Sequence, residues 1–123
     1  MNDKIIHFSV AEMASRCVDS VPVPAPIATP VSEVRSQSVV VPSSLTTRMG
    51  VWECSPGRWR RQVKQAEFSH FLAGDCTFTP DGGDPIVIHA GDVVYFPANS
   101  TGIWDIRSAS RKIFMVFDES TPT

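Results

Sequence analysis

The sequence predicts an all-β barrel with an extended N-terminal arm, and three observations carry that prediction. From about Thr46 the chain breaks into short runs rich in Val, Ile, Phe, Trp and Thr. Turn residues separate these runs at Pro56-Gly57, Pro80-Asp81-Gly82-Gly83, Ala90-Gly91-Asp92 and Pro97-Ala98-Asn99. No helical periodicity lies between the turns. In chain order, strands are expected near 47–54, 58–64, 67–73, 74–79, 85–89, 92–96, 101–107 and 110–118. Eight short strands at this spacing form a sandwich or barrel. The hairpin across "TPDGGDP" is the clearest, because Asp81-Gly82-Gly83 tolerate the positive φ of a tight turn. The barrel is assigned to 46–119 and the arm to 1–45.

The arm reads differently from the barrel. Ser9 and Glu12 have the spacing of a capping box, so residues 10–17 are read as a short helix. Pro22, Pro24, Pro26 and Pro30 then exclude regular helix and leave an extended strap. Its valines and Ile27 need burial, so the strap is expected outside a barrel, its own or a partner's, with "SQSVVV" pairing at a sheet edge.

Composition limits the function classes. With a formal charge of −2 over 123 residues and a pI near 5.8, there is no electrostatic case for nucleic acid or an anionic membrane. The cations around "RWRR" read as a solvated face, with Arg58, Arg60, Gln62 and Lys64 in one row, and not as a nucleic-acid stacking surface. No apolar run approaches the roughly 20 residues that span a bilayer. The N-terminus lacks the order of a secretory signal, and a cytoplasmic location is expected. Cys17, Cys54 and Cys76 are odd in number and widely spaced, which reads as buried thiols and not a zinc site.

Four segments carry a family resemblance: "GVWECSPGRW", "EFSHFLAG", "GDVVYFPA" and "RKIFMVF", in that order over residues 50 to 117. The chain resembles the cupins, and within them the ureidoglycine aminohydrolase-like branch, which includes the cupin domain of an ethanolamine-utilisation protein. The resemblance implies a double-stranded β-helix, or jelly-roll, barrel. It also implies two histidines shortly before Glu67 and a third in the second motif. Glu67, Gly74, Gly91 and Pro97 match the pattern, but the first two histidine positions fall on Arg61 and Val63, or on Arg60 and Gln62 in the other register. The third falls on Gly102. A lone carboxylate holds a transition metal weakly and a guanidinium does not coordinate, so no metal and no cofactor are expected.

Strand parity then sketches the interior. Glu67, Ser69 and Phe71 share one face, and Phe68, His70 and Leu72 the other. With Glu67 inward, His70 points away from the barrel. Trp59, Arg61 and Val63 share a face, because the opposite assignment would expose Trp59 and bury four polar chains. Trp104 shares parity with Gly102 and points inward. The candidate site is therefore Glu67 as catalytic base, with Arg61, Trp59, Trp104 and Glu67 binding a small polar or anionic ligand. Tyr95 is a further candidate, able to contribute a phenol from a strand apolar on both faces. Lys112 is read as a snorkelling rim residue, His89 as rim or surface, and His7 as part of the arm.

Arg61 has two readings, an ion pair with Glu67 or a bidentate anchor for a ligand carboxylate or phosphate. Three functions follow: small-molecule binding in a metal-free pocket, ureidoglycine aminohydrolase-like chemistry on a small nitrogenous metabolite, or a scaffold. An accessible polar pocket favours the first two. A barrel plugged by Trp59, Phe71 and Trp104 favours the third. A two-fold homodimer is expected, because a small barrel with an apolar arm completes its burial by association.

Overall fold

The computed structural model describes residues 5–17, 19–41 and 47–117. Among them lie one helix, α1 (Val10–Ser15), and eight strands: β1 (Val21–Pro22), β2 (Glu33–Val40), β3 (Arg48–Cys54), β4 (Gly57–Val63), β5 (Glu67–Pro80), β6 (Ile86–His89), β7 (Val93–Phe96) and β8 (Ser100–Val116). The outer limits assigned to arm and barrel, at 1–4, 42–46 and 118–119, fall outside the described residues.

Every strand pairing is antiparallel. The two long strands organise the barrel. β8 pairs with β4 through residues 100–106 and with β3 through 110–116. β5 pairs with β7 near Glu67 and with β6 beyond Asp75, and it runs against β8 along its length. Each long strand therefore crosses from one layer to the other. The strands expected at 67–73 and 74–79 are two halves of β5, and those at 101–107 and 110–118 are two halves of β8. The turn-like Ala73-Gly74 is a bend, and the pairing register shifts three times between Phe71 and Cys76.

At the N-terminus the Glu12 N–H donates to Ser9 Oγ at 3.0 Å and caps α1. The helix ends at Ser15, short of residue 17. Met13 and Ala14 pack on Val51, flanked by Phe8, Val10, Val39 and Ile113. They cover part of the outer face of β3.

The segment after α1 borders both layers of its own barrel. β2 pairs with β3 from Val34↔Cys54 to Val40↔Arg48. Further back, Pro26 bridges to Trp59, the Ile27 N–H donates to the Arg58 carbonyl, and the Arg60 N–H donates to that of Ala25. Prolines prevent more than this fragmentary pairing. Val23 turns inward and joins the main core with Trp52, Trp59, Phe71, Phe78, Phe96, Trp104 and Ile106.

Candidate functional site

Period-two alternation brings the motif residues to the barrel interior. On β5, Glu67, Ser69 and Phe71 are buried while Phe68 is exposed. On β4, Trp59 and Val63 are buried and Arg58 and Arg60 are exposed, so Arg61, not Arg60, is the inward arginine. Arg60 instead pairs with Asp81 outside. On β8, Gly102, Trp104 and Ile106 face in, and the cross-strand register sets Arg61 against Gly102 and Trp59 against Trp104.

Glu67 is 2% exposed and meets three donors. Arg61 Nη2 donates to Oε1 at 2.7 Å. Lys112 Nζ and Ser69 Oγ each donate to Oε2 at 2.6 Å. Burial alone would raise the Glu67 pKa, but the Lys112 and Arg61 charges and the bonds from Lys112 and Ser69 outweigh it and hold the carboxyl at about 2. Burial lowers the Lys112 pKa, as does the Arg61 charge, and the Glu67 carboxylate opposes both.

Lys112 is the residue that sequence reasoning misplaced. It is 1% exposed, not a rim residue. The register puts it opposite Trp52 on β3 and Phe71 on β5, both inward. Its ammonium lies 4.5 Å from the Trp52 ring centre and 5.6–5.7 Å from those of Phe71, Phe96 and Trp104. One donor is spent on Glu67 and the ring faces solvate the rest of the charge. The signal was present, since Lys112 shares parity with the inward Phe114 and Val116, but an unpartnered buried lysine is costly and Glu67 was not known to reach it.

Tyr95 is the second correction. It is 61% exposed and takes no part in the interior. The pairing Phe68↔Tyr95 carries it to the outer face. There Met49, Met115, Phe68 and Tyr95 form one row across four strands, and Val51, Ile113, His70 and Val93 form the next. His70 thus faces away from Glu67, and His89 and His7 are exposed.

The interior is filled. Trp104 has the rings of Trp52, Trp59, Phe71, Phe78 and Phe96 at centroid distances of 4.9–6.4 Å. At Gly102, where the resemblance places a histidine, a Cβ would stand 2.6 Å from the Phe78 ring. The position is closed to any larger side chain. Among the described residues no group of three or more His, Cys, Asp or Glu converges to hold a metal ion. The donor set does not fit a divalent transition ion: Val63 and Gly102 offer no lone pair, Arg61 offers only donors, and Glu67 is engaged. Three buried N–H donors lack a partner among the described residues: Arg61 Nη1, Trp59 Nε1 and Trp104 Nε1.

A two-layered antiparallel barrel with the motif glutamate turned inward defines a cupin. The chain belongs to the EutQ-like cupin domain family, whose family model matches residues 43–114. Among solved structures it is similar to a putative ethanolamine utilization protein Q from Salmonella typhimurium LT2, at 16% identity over 72% of each chain with a TM-score of 0.61. It is also similar to the EutQ protein of Clostridium difficile, at 14% identity over 79% of each chain and a TM-score of 0.64. A Rhizobium leguminosarum protein of unknown function gives 13% identity and a TM-score of 0.71 over 94% of this chain and 99% of that one. At these identities the likeness is one of fold. No curated protein matches the sequence. Among the described residues no helix is long and apolar enough to cross a membrane.

Proposed function

We propose that this chain is a non-catalytic cupin that keeps its barrel as a rigid unit for assembly with a second copy, and in which Lys112 supplies the cation that a metal supplies elsewhere. The observation behind this reading is the saturation of Glu67. A general base works best with a pKa near the working pH. A carboxyl near 2, with both oxygens accepting from the chain's own donors, is a poor base. That counts against ureidoglycine aminohydrolase-like chemistry at this position. Trp59, Phe71 and Trp104 occupy the space a ligand would need.

Two measurements on protein without an affinity tag test the reading. Metal analysis should find well under one transition-metal ion per chain, and small carboxylates should give no thermal shift that depends on Arg61. One tightly held ion, or a shift that grows with the logarithm of carboxylate concentration and vanishes in Arg61→Ala, would overturn it.

The second outcome would install the alternative reading, a small anion held at the barrel mouth. Arg61 favours it: Nη1 is a buried donor without a partner among the described residues, and the side chain keeps 18% exposure.

A further inference from the structure

The outer face of β3, β8, β5 and β7 carries a projection and a hollow in one row. Cross-strand register aligns Met49 on β3, Met115 on β8, Phe68 on β5 and Tyr95 on β7. Tyr95, the only tyrosine of the chain, projects from β7 at 61% exposure. On the other side of β5, Phe8, Met49, Ile113 and Met115 wall an apolar hollow of about 150 Å³. An apolar cavity of about that volume takes a benzene-sized group.

The two features stand to either side of β5. Tyr95 lies one strand away, roughly 5 Å, and the hollow begins one strand away in the opposite direction, over β8. A two-fold axis running along β5, in the space above the face, exchanges the two sides and keeps every row at its own height. It carries the Tyr95 ring of each copy over the hollow of the other. An axis across the strands would instead set each Tyr95 over the partner's β7.

The charge pattern also fits a second copy. A two-fold contact sets each group near its own kind, so a charged row would repel itself. The row just described and the next, Val51, Ile113, His70 and Val93, hold no Asp, Glu, Lys or Arg.

Because β5 lies under that axis, His70 faces the partner's His70. It has no hydrogen-bond or ion-pair partner among the described residues, and its row neighbours Ile113 and Val93 are apolar. The titratable groups of the flanking elements do not offset a charge there. Arg111 on β8 is paired with Glu53, and Asp92, just before β7, accepts from the His89 N–H. Glu12 and Arg16 of α1 are exposed, and Tyr95 in the neighbouring row brings a neutral phenol. Two imidazolium ions set face to face in an apolar contact repel and lose hydration.

We propose that two copies pair through this face about an axis along β5, each Tyr95 seated in the other's hollow, and that protonation of the facing His70 pair loosens the dimer. The inference rests on the assembly reading above and supplies its contact and its control.

Sedimentation equilibrium of the full-length chain at micromolar concentration tests it. At about pH 7.5 wild type should be a dimer. Tyr95→Ala, which removes the projection, and Met49→Trp, which fills the hollow, should each associate at least ten-fold more weakly. Mixed in equal amounts, these variants should form a heterodimer tighter than either homodimer, because one projection still meets one open hollow. Melting curves report whether each variant is folded. From about pH 7.5 to about pH 5.5, across the ordinary histidine range, wild type should weaken at least ten-fold and His70→Leu should not. A wild-type monomer at the higher pH would overturn the assembly reading and this inference with it. A wild-type dimer whose variants associate as tightly, or whose mixture gives no preferred heterodimer, would overturn the Tyr95 pairing alone. Equal pH dependence in wild type and His70→Leu would overturn the control by His70.

Discussion

At the residue scale the molecule turns on one carboxylate shared between two cations. Removing one partner from a buried ion pair leaves an uncompensated charge and costs about 3–5 kcal/mol, whereas replacing the whole group with apolar side chains can be neutral or better. Lys112→Met should therefore lower Tm by about 12 °C or more, taking about 4 °C per kcal/mol as the lower end for a domain of this size. Arg61→Met, Glu67→Leu and Lys112→Met combined should recover most of that loss in the same melting experiment. A Lys112→Met protein as stable as wild type would remove Lys112 from its central role. The pH dependence has a definite sign. Glu67 titrates near 2 when folded and nearer its ordinary 4.5 when unfolded, so its contribution is fully present above 4.5 and is lost as pH falls toward 2. That contribution is on the order of 3 kcal/mol, and acid unfolding should display it as a steeper slope between those pH values in wild type than in Glu67→Gln, in which Asp75 and Asp81 still titrate.

At the element scale the bends of β5 and β8 and the strap decide what is closed. Gly74 has positive φ, and a Cβ there would meet Ser110 Cα at 2.6 Å and the Ala109 carbonyl oxygen at 2.7 Å. Both are backbone atoms that cannot step aside. Gly74→Ala should thus destabilise by about 2 kcal/mol or more, read as a lower denaturation midpoint; an unchanged midpoint would mean the bend is softer than this geometry implies. The strap closes the core through Val23, beside Trp52 and Trp59. Deleting residues 1–35 should move tryptophan emission to longer wavelength and reduce solubility, because it uncovers both indoles. Emission that stays at the wild-type wavelength would show that the barrel seals itself without the strap.

At the scale of the whole molecule the outer face of β3, β8, β5 and β7 bears the assembly reading. α1 covers the Val51 end of that face, while Phe68, Val93 and Tyr95 stay exposed at 39%, 58% and 61%. Adjacent exposed apolar chains of this kind mark an interaction surface. A two-fold axis through it would set the row of Phe68 and Tyr95 against its own copy. Light scattering at micromolar concentration should give a dimer mass for wild type and a monomer mass for Phe68→Lys with Tyr95→Lys, with the melting of the barrel little changed. A monomer mass for the intact chain would refute the dimer.

Much of the fold and part of the ion cluster were legible in the sequence, and the division has a physical cause. Alternation along a strand is local. Once Glu67 is inward, Ser69 and Phe71 must follow it, and the cost of burying a cationic row sets Trp59 and Arg61 inward on β4. Turn residues likewise punctuate the chain, though at Ala73-Gly74 the same small residues make a bend within one strand. Lys112 and Tyr95 were not legible in this way. Each lies on a strand apolar on both faces, so its own neighbours do not say which face is covered. Cross-strand register decided it, by setting Lys112 against Trp52 and Phe71 and Tyr95 against Phe68. Whether a buried ammonium is tolerable depends on a carboxylate 45 residues away in the chain, which only the closed barrel brings to 2.6 Å. By itself the sequence determined the barrel, its inward motif residues and its lack of histidine ligands; the tertiary structure decided that the chain's own lysine stands beside the glutamate, because register and long-range pairing are properties of the assembled sheet.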